Sequence, residues 1–262
     1  MSSPFTTAGG AAFDDADVAR CYACRPPYAP AAIAAIADLP KARRRALDLG
    51  CGPGKLAGPL AQDFEAVTAL DPSAPMLAEG RRLWPAANIN WLCASDADAP
   101  LDAPFDLVVA GTSIHFMDHA QLFPRLADAA EVFATVGGDH PSDPPWADAW
   151  NAARDHWLRR LGQTPDPAGF TAFGQRHEIW MDIEGRRSFT FDVSQTLEDF
   201  IACQHSRATW SRRAMGPALA QAFDEDLARR LGPWTRDGLL TYELVTEVVW
   251  GRARKTPRPA PR

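Results

Sequence analysis

The chain has 262 residues, 46% of them hydrophobic, 10% aromatic and 23% charged, which excludes collagen, coiled coil and a disordered polymer; no run of 18 apolar residues spans a membrane. The net charge is −6, and because Arg252, Arg254, Lys255, Arg258 and Arg262 crowd into Gly251–Arg262 the remainder carries −11, a field that repels nucleic acid and anionic lipid and argues against both as partners. Five cysteines (21, 24, 51, 93 and 203), an odd number with no secretory pattern in Met1–Gly10, read as reduced thiols in a cytoplasmic compartment.

Taken in chain order, residues 1–40 hold Cys21-Tyr-Ala-Cys24 and the Pro-rich Arg25-Pro26-Pro27-Tyr28. The CxxC lacks both a second ligand pair and a thioredoxin-like strand–helix setting, so it reads as coincidence and no metal site is expected. From Arg43 short apolar runs alternate with helical stretches: Ala46–Leu49 as a strand, Lys55–Phe64 as a helix, Ala66–Leu70 as a strand closed by Asp71-Pro72. A helix follows from Ser73 with Met76, Leu77 and Leu83 on one side, then strands Ile89–Cys93 and Phe105–Ala110, a helix Gln121–Ala130 and a fifth strand Glu131–Val136. Such alternation predicts a parallel sheet with helical crossovers.

After the polar connection Gly137–Pro145, helices are predicted over Trp146–Leu161, Leu197–Thr209 and Pro217–Leu231, with strands at Ser188–Val193 and Leu239–Trp250. The helices between Trp146 and Leu231 have no room inside a doubly wound core, so they are expected to cap the carboxyl edge of the sheet. Seven of the nine Trp lie between Trp146 and Trp250, only Trp84 and Trp91 earlier, which directs the search for an aromatic-lined substrate region to the second half. The Trp146/Trp150/Trp157 spacing suits ordinary core packing as well as a substrate wall.

Chemistry concentrates at Asp48-Leu-Gly50-Cys51-Gly52-Pro-Gly54, between a strand and a helix. Glycines let the backbone approach a ligand, and a helix N-terminus adds free N–H donors. A dinucleotide fingerprint would need glycine where Lys55 stands, and no GK[ST] follows to make a P-loop. Asp48 suits an ammonium better than a phosphate, and Asp71, at the end of the second strand, suits a ribose diol. A nucleoside ligand with a cationic amino-acid end fits these residues; an unliganded tight turn with a helix-capping Asp71 is the structural alternative.

The segments Leu47–Gly54, Leu70–Leu77 and Phe105–Phe116 together resemble the three sequence motifs of class I S-adenosylmethionine-dependent methyltransferases, the small-molecule branch that includes trans-aconitate and ubiquinone-type enzymes. The resemblance is strong over residues 13–138 and looser to Gly251. It implies an α/β fold: a Rossmann-like, seven-stranded, mostly parallel sheet with helices on both faces and a helical cap. The implied layout is a lid segment at 1–40, a cofactor-binding core at 41–138, a cap and substrate region at 139–235, a last strand at 236–251 and a basic flexible tail at 252–262.

The resemblance further implies that S-adenosylmethionine is held by Asp48 and the Gly50, Cys51, Gly52 and Gly54 backbone at its methionine end, and by Asp71 at its ribose. Pro72 and Met76 would border the adenine. Ser95, Asp96 and Ala97 would meet the adenine edge, with Asp98 the alternative acid. Ala110, Gly111 and Thr112 would line the methyl-donor side, while Tyr22 and Arg25 belong to a lid-like motif in which Arg25 meets the methionine carboxylate. His115, just past the fourth strand, is the candidate general base, with a packed histidine as the alternative; its HxxxH spacing to His119 lacks a third metal ligand. Phe116, Trp146, His205 and Trp210 are candidate acceptor contacts, for a flat, partly apolar small molecule. The expected activity is methyl transfer by a cytoplasmic monomer or homodimer; the alternatives are a dinucleotide-dependent oxidoreductase and a non-catalytic cofactor binder.

Overall fold

A strand covered on both faces must be apolar at nearly every position, and this decides the first half of the chain. The computed structural model describes residues 13–138, 141–163 and 176–259. Its strands are β1 (Arg45–Leu49), β2 (Ala66–Asp71), β3 (Ile89–Cys93), β4 (Phe105–Gly111), β5 (Ala130–Gly137), β6 (Met181–Thr196) and β7 (Leu239–Ala253). They form one seven-stranded sheet in the order β3-β2-β1-β4-β5-β7-β6. The first five are parallel, whereas β7 runs antiparallel to both β5 and β6. Helices α1 (Ala16–Ala23) and α2 (Pro30–Ala37) precede the sheet; α3 (Ala57–Leu60), α4 (Ala74–Leu83) and α5 (His119–Ala129) connect its strands. Helices α6 (Ala147–Arg160), α7 (Leu197–Gln204), α8 (Arg212–Met215) and α9 (Pro217–Leu231) belong to the second half.

Successive side chains of a strand point to opposite faces. Ala46, Val67, Leu107 and Val109 therefore pack with Ala32, Ile33 and Ile36 of α2, while Leu47, Leu49, Val108 and Phe133 pack with Leu122, Phe123 and Leu126 of α5. The connecting helices start where an oxygen caps their first free N–H groups: Ser73 Oγ accepts from Met76 N at 3.2 Å and Asp118 Oδ1 from Ala120 N at 3.0 Å.

Register places the cap. Gly137, the last residue of β5, pairs with Glu247, so β7 from Leu239 to Thr246, with its β6 partners Phe189–Thr196, runs on past the carboxyl end of β5. Trp146, Phe200 and Leu231 pack on this extension against Leu240, Tyr242 and Leu244. A further cluster of Trp157, Ile201, Trp210, Phe223 and Leu227 holds the helices to one another, and Trp157 Nε1 donates to Asp226 Oδ2 at 3.0 Å. The N-terminal segment is tied to this layer: Arg25 Nε donates to Ser206 Oγ at 2.7 Å, Gln195 Nε2 to Cys24 O at 2.5 Å, and Arg212 Nη1 lies 3.3 Å from Asp17 Oδ2.

Several elements differ from the sequence reading. The helix expected over Lys55–Phe64 shrinks to Ala57–Leu60, and Gly54 and Gly58 sit where Trp84 and Trp91 press in; a Cβ on Gly58 would lie 2.0 Å from the Trp84 ring. Leu83 is exposed rather than on the packed side of α4, since Val18 and Ala19 of α1 cover Met76 and leave the last turn open. The helix expected to reach Thr209 ends at Gln204, where Ser206 Oγ turns back to donate to Cys203 O at 2.5 Å.

Strand β6 starts seven residues before the predicted Ser188, so residues 139–235 hold a sheet member as well as helices. Its outer half carries Asp182, Glu184, Arg186 and Arg187, the charged edge that a terminal strand needs against unwanted pairing. Those charges also meet basic residues near the end of the chain. Strand β7 continues to Ala253, Arg252 Nε lies 3.3 Å from Glu184 Oε1, Arg254 and Arg258 lie 2.7 and 3.0 Å from Asp182 Oδ1, and Arg258 N donates to Ile179 O at 2.6 Å. Among the described residues no helix is long and apolar enough to cross a membrane.

Candidate active site

The chain leaves β1 through three glycines with left-handed backbone, Gly50, Gly52 and Gly54, at φ +65°, +52° and +82°. A Cβ on Gly50 would sit 2.6 Å from Ser113 Cβ, and one on Gly54 2.6 Å from Trp91 Cη2. A Cβ on Gly52 would meet only Tyr22 Cε1, at an ordinary 4.0 Å, so the middle of the loop is its least crowded position. Gly50→Ala combines the φ strain with that contact and is expected to destabilise the protein by about 1–2 kcal/mol, measurable as a shift of the urea midpoint.

Two carboxylates stand beneath this loop. Asp71 Oδ2 accepts from Gly52 N and Asp71 Oδ1 from Ser73 N, both at 2.8 Å. Burial raises its pKa while these two N–H bonds lower it, and an ionised carboxylate keeps lone pairs for further donors. Asp48 is 1% exposed and accepts from Ala57 N at 3.0 Å. Burial pushes its pKa up to about 7, with the Ala57 N–H opposing and Asp71 adding to the rise. A buried acid poised to ionise is suited to a cation and badly suited to a phosphate.

Strand β4 ends on the same edge. Ala110 is buried in the core, and a Cβ on Gly111 would meet Leu56 Cδ1 at 2.8 Å and Tyr28 Oη at 2.9 Å. Thr112, a β-branched residue at φ +53°, adopts a conformation that persists only where surroundings impose it; here its N donates to Val136 O at 2.9 Å and its Oγ1 lies 3.1 Å from Tyr28 Oη. Ser113 Oγ donates to Leu49 O at 2.6 Å and locks this turn to the glycine loop. Cys51 and Met76 are buried beside the loop and against α1, while Pro72 is exposed at the end of β2.

After β3, Asp118 N donates to Asp96 Oδ2 at 3.1 Å and Ser95 Oγ to Asp98 Oδ2 at 2.8 Å; Arg125 clamps the turn through the carbonyls of Asp96 and Ala97 at 3.1 and 2.8 Å. Phe13, Tyr22 and Phe116 stand together, with ring centroids 6.1 Å apart for both Phe13–Tyr22 and Phe13–Phe116. Lys55 Nζ lies 5.9 Å from the Tyr22 centroid and 5.3 Å from that of Tyr28. His115 is half-buried in the 3₁₀ turn Ile114–Phe116, and burial, helped by His119, lowers its pKa below the ordinary 6.5, so the imidazole is neutral at pH 7. His119 Nε2 lies 2.8 Å from Ile114 O; among the described residues no three His, Cys, Asp or Glu side chains are grouped to hold a metal.

The other sequence candidates are tied to the cap. His205 is fully buried in the cap, its Nδ1 2.6 Å from Trp210 O and its Nε2 2.6 Å from Asp224 Oδ1, and Trp210 stacks on Phe223 at 5.3 Å. Trp146 is buried against Phe200 and Tyr242. Arg25 lies over the Tyr22 ring, its Cζ 4.0 Å from the centroid, and bonds Ser206 in the cap. Sequence reasoning did not single out Phe13, Tyr28, Lys55 or Ser113. Tyr28 and Ser113 lay inside quoted motifs, and Lys55 was weighed only as a missing glycine; Phe13 carried no signal.

A family profile described as a methyltransferase domain matches residues 46–137. An uncharacterized methyltransferase of Mycobacterium tuberculosis is 32% identical over 142 residues, covering 53% of each chain. A trans-aconitate 2-methyltransferase of Klebsiella pneumoniae is 30% identical over 161 residues, covering 57% of this chain and 58% of that protein. The chain thus spans about half the length of the curated relatives it matches. A solved structure described as a candidate type II methyltransferase of Anaeromyxobacter dehalogenans superposes with a TM-score of 0.69 at 21% identity, over 88% of this chain and 99% of that one, and shares its fold. Residues 46–137, with the glycine loop, the acid ending β2 and the β4 turn, form a class I methyltransferase domain, the domain type whose cofactor is S-adenosylmethionine.

Proposed function

We propose that the chain transfers the methyl group of S-adenosylmethionine to a small-molecule acceptor in the cytoplasm. The observation that carries this reading is the pairing of buried Asp48, its pKa raised to about 7, with a glycine loop whose middle position is the least crowded of its three. When bound, the cofactor supplies an electrophilic methyl on sulfonium: an acceptor lone pair forms the new bond while the S–CH₃ electron pair stays on sulfur, giving S-adenosylhomocysteine. Asp48 would bond the ammonium, Asp71 the two ribose hydroxyls, and Pro72 with Met76 would border the adenine beside Ser95, Asp96 and Ala97. Gly111 and Thr112 would line the donor side. The aromatic faces of Tyr22, Tyr28 and Phe116 suit a cationic centre and favour a flat, partly apolar acceptor. The name of the Klebsiella relative, a trans-aconitate methyltransferase, supports an acceptor of metabolite size.

Alignment and water exclusion carry most of such a displacement; a base is needed only where the acceptor must lose a proton. Neutral His115, in the turn after β4, can take it. In a screen of metabolite acceptors, His115→Ala is expected to lower kcat by roughly 10²–10⁴ and to leave S-adenosylhomocysteine affinity unchanged. The wild-type rate should fall as pH drops through the His115 pKa, below 6.5, as the ring takes a proton. Full activity with an unaltered pH profile in the variant removes His115 as the base. The oxidoreductase alternative is disfavoured because Lys55 fills the position where pyrophosphate would need a glycine.

A further inference from the structure

Lys55 directly follows the glycine loop, and its ammonium lies beside two phenol rings: Nζ is 5.3 Å from the Tyr28 centroid and 5.9 Å from that of Tyr22. Both distances are within reach of a cation–π attraction. The same two rings border the loop and the β4 turn. A Cβ on Gly52 would lie 4.0 Å from Tyr22 Cε1, and one on Gly111 would lie 2.9 Å from Tyr28 Oη, which is itself 3.1 Å from Thr112 Oγ1. Arg25 adds a second cation to this wall, its Cζ 4.0 Å from the Tyr22 centroid and its Nε bonded to Ser206 Oγ.

A methyl donor and its product differ at this place by one charge. S-Adenosylmethionine carries a sulfonium where S-adenosylhomocysteine carries a neutral thioether; the amino-acid end, the ribose and the adenine are the same in both. In the reading above Gly111 and Thr112 line the donor side, so a sulfonium there meets ring faces that already serve an ammonium, and it meets the charge of that ammonium. Like charges repel more strongly where less water screens them, and Lys55 is only partly exposed. A thioether suffers neither cost. A cation that bonded the methionine carboxylate would act alike on both molecules, whereas a cation that acts at the sulfur distinguishes them.

We propose that Lys55 sets the preference of the chain between donor and product: its ammonium, beside Tyr22 and Tyr28, competes with the sulfonium for the same aromatic faces and holds the affinity for S-adenosylmethionine below that for S-adenosylhomocysteine. The product therefore displaces the donor when the two are equally concentrated, and methylation slows as product accumulates. The proposal rests on the methyl-transfer reading above and deepens it at the sulfur end of the site.

Calorimetric titration with S-adenosylmethionine, S-adenosylhomocysteine and sinefungin, an analogue with an ammonium in place of the methylsulfonium, tests this on wild type, Lys55→Met, Lys55→Gln and Lys55→Arg. Wild type should bind S-adenosylhomocysteine about fivefold more tightly than S-adenosylmethionine, the scale of one cation–π contact. Lys55→Met and Lys55→Gln should each gain about fivefold for S-adenosylmethionine and for sinefungin. Both should keep S-adenosylhomocysteine within twofold of wild type, which also reports that the loop is folded. Lys55→Arg should retain the wild-type preference. An unchanged ratio of the two affinities in the neutral variants, or an equal loss of both, overturns the proposal, the second result placing Lys55 at the carboxylate. A gain for S-adenosylmethionine without one for sinefungin also overturns it, since that result marks a clash with the methyl group and not a competition between cations. Failure of wild-type protein to bind S-adenosylhomocysteine would instead strike the methyl-transfer reading.

Discussion

Asp48→Asn should flatten the pH dependence of stability in the ligand-free protein. The folded-state pKa of Asp48 is raised to about 7 by burial, above its unfolded value near 3.9, so the fold favours the protonated acid. Between those values the native state binds a proton that the unfolded chain has lost, and stability falls as pH rises; above pH 7 the penalty is fully in place. One pKa unit corresponds to about 1.4 kcal/mol, so the stability difference between wild type and variant should change by as much as about 4 kcal/mol from pH 4 to pH 8. Urea titrations across that range check it, and parallel curves would mean that Asp48 ionises in the fold without penalty. An ammonium bonded to Asp48 should reverse the effect: S-adenosylhomocysteine affinity should rise with pH up to about 7 in wild type and not in Asp48→Asn.

Asp71→Ala should be the most damaging substitution for cofactor binding. It removes the acceptor for Gly52 N and Ser73 N, leaving two loop donors unpaired, and it removes the proposed ribose contact. Losing charged hydrogen bonds worth roughly 1.5–3 kcal/mol each corresponds to at least a hundredfold weaker S-adenosylhomocysteine affinity. Calorimetric titration of the folded variant measures it, and an unchanged affinity would dissociate Asp71 from the ribose.

The parts of the molecule that could be read from the sequence are those where local chemistry and fold coincide. Strands β1 to β5 are legible because two covered faces force apolar runs such as Phe105–Ala110. The loop is legible because left-handed backbone at Gly50, Gly52 and Gly54 demands glycine. The first half of β6 is not, since an edge strand spends its outward positions on charges that pair with Arg252, Arg254 and Arg258 far along the chain. Nor is the bond from Arg25 to Ser206, 181 residues away, which ties the N-terminal segment to the cap. His205 and Trp210 stand out by residue type alone, and their partners, Asp224 and Phe223, come from α9, a packing relation without a local signature. Trp84 and Trp91 turn out to shape the loop from behind, filling the space over Gly54, Gly58 and Gly80.

The account stands most directly on a calorimetric titration of the wild-type, ligand-free protein with S-adenosylhomocysteine beside NADH. It predicts saturable one-to-one binding of S-adenosylhomocysteine and no heat from NADH. Binding of NADH without S-adenosylhomocysteine would contradict it, because the loop at Gly50–Gly54 would then hold a pyrophosphate where a buried acid stands.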